Sequence, residues 1–333
     1  MIFNGSQIKV FILSHRTTDP KAYWDNILKV ADLCQKYAFT GLLLFEGNDT
    51  FISPWVAAQE VLARTESISP LIAVNPIYMH PFKAAKIVSS LAQIYNRKIY
   101  LNMITGTAVN YLDSMNDSLS HDERYERIAE YIVIMRRLLS SVEPVSWNGN
   151  HYAVENLQLL PGIPGHLMPE FLLSGQSDAA RKVVQETGSV GTQMLAPDLS
   201  KGLNKAEAIN FGILCRSSEA LAWNAAELIF PDNEEDQLIQ ELSMSNTDSS
   251  WKRRMAVLAS LPDNRANGYW MGPFRNFRSD GPYLVGSYSS VGGIIADLIR
   301  SGVSTFIFDI TPNEEEYAHI SHALGIAEEL LGS

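Results

Sequence analysis

His15 closes a short apolar run over residues 8–13. A histidine at the C-terminal end of a strand can donate a hydrogen bond, act as an acid or base, or bind a metal. It can equally cap the polar turn that follows. Asn102 lies inside another apolar run, 99–104, that stops at Thr105-Gly106. A polar side chain in a buried strand must be satisfied, either by an internal network or by the edge of a heterocycle. Asn75-Pro76 ends a third run, 69–74. Ser174-Gly175-Gln176-Ser177-Asp178 joins a fourth run, 170–173, to a helical pattern. Small residues there let the backbone approach a ligand closely, and the N–H groups of the following helix make an anion site. The bland alternative is a turn with Ser177 or Asp178 as helix cap.

Two further motifs carry mixed signals. In Ser120-His121-Asp122-Glu123-Arg124-Tyr125, Ser120 and Glu123 have the spacing of a capping box. Arg124 and Tyr125 are not needed for helix initiation, and either could reach a phosphate. Glu46-Gly47-Asn48-Asp49 follows a strand pattern. With no HxxE, CxxC or clustered carboxylates to complete a metal site, it reads as a solvated loop, and no metal is expected. No G-x-S-x-G elbow supports a hydrolase.

These residues are positioned by alternating strand and helix patterns. Strands are expected over 8–13, 41–45, 69–74, 99–104, 170–173, 190–195, 208–215 and 305–309. Helices are expected over 23–37, 54–64, 81–95, 122–139, 178–187, 218–229 and 313–331. Near-continuously apolar strands are covered on both faces, which implies a parallel sheet, and eight of them close a barrel. The expected fold is therefore α/β, a (β/α)8 TIM barrel, in one domain spanning 1–333. A doubly wound open sheet is the alternative, but no G-x-G-x-x-G follows the first strand. Two insertions break the rhythm. Residues 145–154, with Asn148-Gly149, read as a β-hairpin with a type I′ turn. Residues 230–279 read as a lid, because Tyr269, Trp270, Phe274, Arg275, Phe277 and Arg278 cluster there.

The bulk properties narrow the partners. Of 333 residues, 46% are hydrophobic and the net charge is -11. An acidic surface argues against nonspecific nucleic-acid or anionic-lipid binding. Two cysteines, Cys34 and Cys215, read as buried free thiols in a reducing compartment. With no signal peptide and no apolar run of membrane length, the expected location is the cytoplasm.

In order along the chain, Leu101-Asn102-Met103-Ile104-Thr105-Gly106, Ser120–Tyr125 and Ser174–Asp178 resemble the bacterial luciferase-like flavin monooxygenases, nearest the alkanesulfonate branch. The first-strand segment ending in Ser14-His15 and the 147–161 hairpin segment are also similar. The resemblance covers nearly the whole chain. It implies a barrel with flavin at its C-terminal face, and reduced FMN, supplied by a separate reductase, used with O2 to oxygenate a small molecule. Asn102 and Thr105 would lie near the isoalloxazine, and Asn75 would also bind the cofactor. Tyr125, Ser174, Gly175, Gln176 and Ser177 would bind the phosphate. His15 matches an active-site histidine, and Arg278 the arginine of a mobile loop. A homodimer or homotetramer is implied.

The chain also departs from that branch. Asn210 and Gly212 replace an Arg-x-His pair, Thr311-Pro312-Asn313 replaces Tyr-Pro-His, and the branch's cysteine falls near Phe51 or Ile52. A sulfonate needs cations and donors in a dry pocket, so the expected substrate is not a simple alkanesulfonate. Within the same resemblance, hydride transfer with the deazaflavin F420 and a catalytically degenerate flavin-binding protein are the alternatives.

Overall fold

The computed structural model describes all residues except 1, 4, 5, 15, 16, 18, 49, 107, 199–206, 264 and 333. The expectation for His15 therefore lies outside the described residues. One 10-stranded sheet, parallel except for the short strand Tyr269–Trp270, carries a return pairing from Val190–Met194 to Ala208–Arg216. This is the (β/α)8 barrel that the sequence pattern implies. The described residues divide into two compact units, 41–191 and the remainder.

In the 41–191 unit the strands are Gly41–Leu44, Leu71–Val74, Tyr100–Met103 and Glu170–Ser174. Every residue of the first three is buried, because sheet neighbours and covering helices leave no face to water. Helices Pro54–Arg64 and Pro81–Tyr95 match the sequence expectation to the residue. Each starts at a proline, whose missing N–H costs nothing in the first turn. Helix His121–Ser140 starts at the full capping box: the Glu123 amide donates to Ser120 Oγ, and the Ser120 amide to Glu123 Oε2.

The hairpin forms from Val145–Asn148 and Ala153–Leu157. Its connection is not the two-residue type I′ turn. Trp147 pairs with Val154 and Asn148 with Ala153, so residues 149–152 form a four-residue loop. The cause is Glu130 on helix His121–Ser140. Its carboxylate accepts from the amides of Asn150 at 2.7 Å, Tyr152 at 3.0 Å and His151 at 3.2 Å, and from the Trp147 indole at 3.2 Å. Gly149 is needed there, since a Cβ would sit 2.2 Å from Glu130 Oε2. Burial pushes the Glu130 carboxyl up, and these donors outweigh it and hold the group below the usual glutamate range.

In the other unit, Ala208–Arg216 pairs with Thr305–Asp309 through its first half and with Tyr283–Ser287 through its second. That last strand and the helix after it, Tyr288–Arg300, are absent from the sequence reading. The insertion folds into helices Glu234–Ser245 and Ser250–Ala259, then the short strand Tyr269–Trp270. Its aromatics anchor more than they line: Tyr269, Trp270 and Phe274 are buried, and Trp270 packs on Trp223 and Phe230. Cys34 and Cys215 are buried free thiols, and burial raises the pKa of both.

Glu130→Ala removes the common acceptor of four donors. It should cost about 2–3 kcal/mol of stability and speed amide exchange at residues 150–152; unchanged exchange there would count against the anchor.

Candidate functional site

Most of the expected binding residues come together at the C-terminal ends of the strands in the 41–191 unit. Register explains why. Ala73 pairs with Asn102, and Asn102 with Leu172, so their side chains share one face of the sheet. Asn75 and Ser174 lie two residues further along their chains and project to the same side. Phe171, one residue out of phase, carries the Arg136 guanidinium 4.9 Å over its ring. Because Arg136 belongs to helix His121–Ser140, the Asn75, Asn102 and Ser174 side chains face away from that covering helix.

The donors on this face are left available. Asn102 Oδ1 accepts from Ser174 Oγ at 2.8 Å, and Asn75 Oδ1 accepts from the Ile77 amide at 3.3 Å. Among the described residues neither Nδ2 group has an acceptor, although both residues are buried. Two amide N–H₂ groups on one face suit the carbonyl edge of a heterocycle. Thr105 is buried beside them, its hydroxyl making only a long 3.3 Å contact to the Gly106 carbonyl.

The loop that follows Ser174 is built around a missing side chain. Tyr125 is buried, and its hydroxyl donates to the Ser174 carbonyl at 3.1 Å. A Cβ on Gly175 would lie 2.1 Å from that hydroxyl, and Gly175 has φ of 149°. Only glycine fits. Ser177 Oγ accepts from the Ala180 amide at 3.2 Å and caps helix Asp178–Thr187. Gln176 and Ser177 remain half-buried. The result is a narrow βα turn leading to a helix N-terminus, which suits a phosphate. Tyr125 thus supports this loop from beneath. Arg124 is also buried, with Nη1 on the Leu119 carbonyl at 2.9 Å.

The mouth around these strand ends is laced together. Tyr78 donates to Asn48 Oδ1 at 2.6 Å, and Asn48 Nδ2 reaches Ser114 Oγ at 3.4 Å. Three consecutive βα loops are joined in this way. Arg127 forms a bidentate, largely buried pair with Asp117, at 2.7 and 3.0 Å. Glu46 is not the solvated residue read from sequence. It is half-buried, and desolvation, partly offset by the Gly47 amide, pushes its carboxyl up to about 7. Single-sequence reasoning missed it because nothing in Glu46-Gly47-Asn48 reports what packs over the loop. Among the described residues no cluster of three or more His, Cys, Asp or Glu residues could hold a metal.

Arg278 lies in the other unit. It pairs with Asp236 at 2.5 Å and is more than half exposed. Arg275, beside it in sequence, pairs with Asp263.

The model of the luciferase-like monooxygenases matches residues 6–305. A Niallia circulans protein, the 4-(gamma-L-glutamylamino)butanoyl-[BtrI acyl-carrier protein] monooxygenase BtrO, is 32% identical over 311 residues, covering 90% of this chain and 91% of that one. Solved structures share the fold at much lower identity. The oxygenating constituent of 3,6-diketocamphane monooxygenase from Pseudomonas putida, in complex with FMN, superposes with a TM-score of 0.67 at 14% identity, over 97% of each chain. An F420-dependent secondary alcohol dehydrogenase does so at 0.66 and 14%, over 96% of this chain and 99% of that one.

Gly175→Ala should displace the Tyr125 hydroxyl and weaken binding of a phosphate-bearing ligand at least tenfold, read by titration against inorganic phosphate and FMN; equal affinity would remove this turn from the site. Glu46 sets a pH dependence of stability. Its folded-state pKa is raised, so the native state holds its proton more tightly than the unfolded chain. That contribution is complete below about pH 4.5 and is lost as pH rises through about 7. Glu46→Gln should therefore raise Tm at pH 8 by roughly 2–4 °C and leave Tm at pH 4 unchanged; equal shifts at both values would contradict this linkage.

Proposed function

This chain belongs to the luciferase-like monooxygenase family and is a flavin-dependent monooxygenase; we propose that it uses reduced FMN from a separate flavin reductase, and O2, to oxygenate an organic substrate other than a simple alkanesulfonate. The observation that carries the cofactor reading is the turn at Ser174–Ser177, where Gly175 has room for no Cβ against the Tyr125 hydroxyl and a helix N-terminus follows. The residues fit the group. The backbone of Gly175 and Gln176 and the Ser177 cap hold the phosphate. Tyr125 keeps the turn in place from below. Asn75 and Asn102 present N–H donors to the ring edge, with Thr105 beside them. Bound reduced FMN supplies the electrons for O2 activation, one oxygen atom going to substrate and the other to water.

The remaining roles belong to the chain. His15, two residues beyond the strand Lys9–Leu13 in sequence, holds or delivers a proton at the reacting oxygen. Arg278 exchanges Asp236 for the substrate. Apolar strand ends and tied loops exclude water, which strengthens every polar contact inside. The protein works in the cytoplasm as a homodimer or homotetramer. As its name states, BtrO acts on an acyl group carried on a protein; carrier-bound acyl chains are accordingly the first substrate class to assay.

Use of F420 for hydride transfer is the rival, because an F420 enzyme shares the fold. Titration with FMN, reduced FMN and F420 separates the two. Tight binding of F420 alone, without O2 uptake in the presence of reduced FMN, would favour the rival. Ser177→Asp is the sharper probe. Aspartate caps helices as well as serine, so the fold should survive, while its charge opposes the phosphate. FMN affinity should fall at least a hundredfold with Tm nearly unchanged; retained affinity places the phosphate elsewhere.

A further inference from the structure

The second helix of the insertion, Ser250–Ala259, has two faces of opposite character. Trp251, Met255 and Ala259 form one i, i+4, i+8 row and turn inward: Met255 and Ala259 are buried and Trp251 is half-buried. Arg253, Val257 and Leu261 form the row on the far side, with Arg254 beside it. The helical turn carries on to Leu261, whose amide donates to the Leu258 carbonyl at 3.2 Å. Both arginines are exposed, Val257 is 64% exposed and Leu261 55%. A single exposed aliphatic needs no explanation. Here two stand one turn apart, where a surface helix normally carries polar residues, and two cations flank them.

Those cations are not neutralised. Lys252, at the edge of the face, pairs with Asp280 at 3.4 Å. Arg253 Nη2 donates to the Thr247 carbonyl at 2.9 Å, a neutral acceptor that leaves its charge uncompensated. Among the described residues neither Arg253 nor Arg254 is ion-paired with a carboxylate. The helix carries Lys252, Arg253 and Arg254 and no acid, in a chain of net charge -11.

We propose that this outward face docks the protein that carries the acyl substrate, through an acidic helix of that carrier with an apolar side chain set among its carboxylates. The inference rests on the reading that the substrate is carrier-bound. The carboxylates pair with Arg253 and Arg254, and the apolar side chain covers Val257 and Leu261. Helix Glu234–Ser245, packed beside this one, also exposes aliphatics, Leu238 and Leu242, but sets them among Glu234, Glu235 and Glu241. Like charge turns an acidic partner away from it. A second copy of this chain is the poorer occupant. Four side chains on two helical turns fall short of the roughly 800 Å² per partner that a stable dimer buries. A small charged footprint suits a carrier that must leave after each turnover.

BtrI, the acyl-carrier protein in the relative's name, is the probe, fluorescently labelled and titrated with the full-length protein by anisotropy. It should bind, and its affinity should fall between about 50 and 300 mM salt. Arg254→Glu and Val257→Asp should each weaken binding at least tenfold. Arg254→Lys should keep the affinity, and so should Leu242→Asp on the acidic helix. All three positions are exposed, so Tm should be unchanged; Arg253 is left in place because it also holds the Thr247 carbonyl. No BtrI binding to the wild type, equal affinity in Arg254→Glu or Val257→Asp, or an equal loss in Leu242→Asp would overturn the proposal. So would a changed sedimentation coefficient of the Arg254→Glu protein by itself, which would make this face an interface between copies. If BtrI binds through this face and its acyl chain is not oxygenated, the substrate reading falls and the docking face stands. If wild type and Arg254→Glu oxygenate acyl-BtrI with equal kcat/KM, the substrate reading stands and the docking face falls.

Discussion

Ser174 is gripped twice, and the candidate site follows from that. Its hydroxyl donates to Asn102 on the neighbouring strand, and its carbonyl accepts from Tyr125 on the helix between those strands. Strand, helix and loop are thereby tied at one residue. The bond to Asn102 orients that amide with its N–H₂ group free. The bond from Tyr125 puts a phenol hydroxyl where residue 175 would otherwise carry a side chain, so the backbone must turn there without one. Both halves of the site, the donor face and the anion turn, depend on a single serine at a strand end.

Much of this was legible before any coordinates. The strands of the barrel announce themselves as apolar runs because they are covered on both faces. Helices Pro54–Arg64, Pro81–Tyr95 and Asp178–Thr187 begin and end where prolines, caps and periodicity say they should. The candidate-site residues are read from strand ends and family likeness, and register explains why Asn75, Asn102 and Ser174 share a face. What sequence could not show was contact between distant segments. Tyr125 reads from sequence as a phosphate ligand, and its hydroxyl also donates to the Ser174 carbonyl of the turn, a contact no local pattern announces. The aromatics at 269–274 suggested a lid lining and are largely spent on core packing. The Asn-Gly pair suggested a tight turn, but Glu130, distant in sequence, pulls the loop open into four residues. Tyr283–Ser287 escaped notice because its apolar stretch is short and Tyr288 begins a helix without a break.

The committed state of the arginines fits the departures from the alkanesulfonate pattern. Among the described residues, Arg127 in one unit and Arg275 and Arg278 in the other each face a carboxylate. Arg278 is the one with the exposed, exchangeable pair. Glu46, in the same unit as Arg127, has its carboxyl pushed up to about 7 by desolvation.

The Glu130 anchor has a further meaning for how such a protein can change. It holds residues 150–152 entirely through their main-chain amides. Of the side chains on that loop, Tyr152 packs edge-on against Tyr131 and His80, while Asn150 is held by its amide alone. A lineage could exchange Asn150 and leave the loop in place, the barrel intact and the Ser174–Ser177 turn untouched. The hairpin is a mounting on which new specificity can be tried one residue at a time.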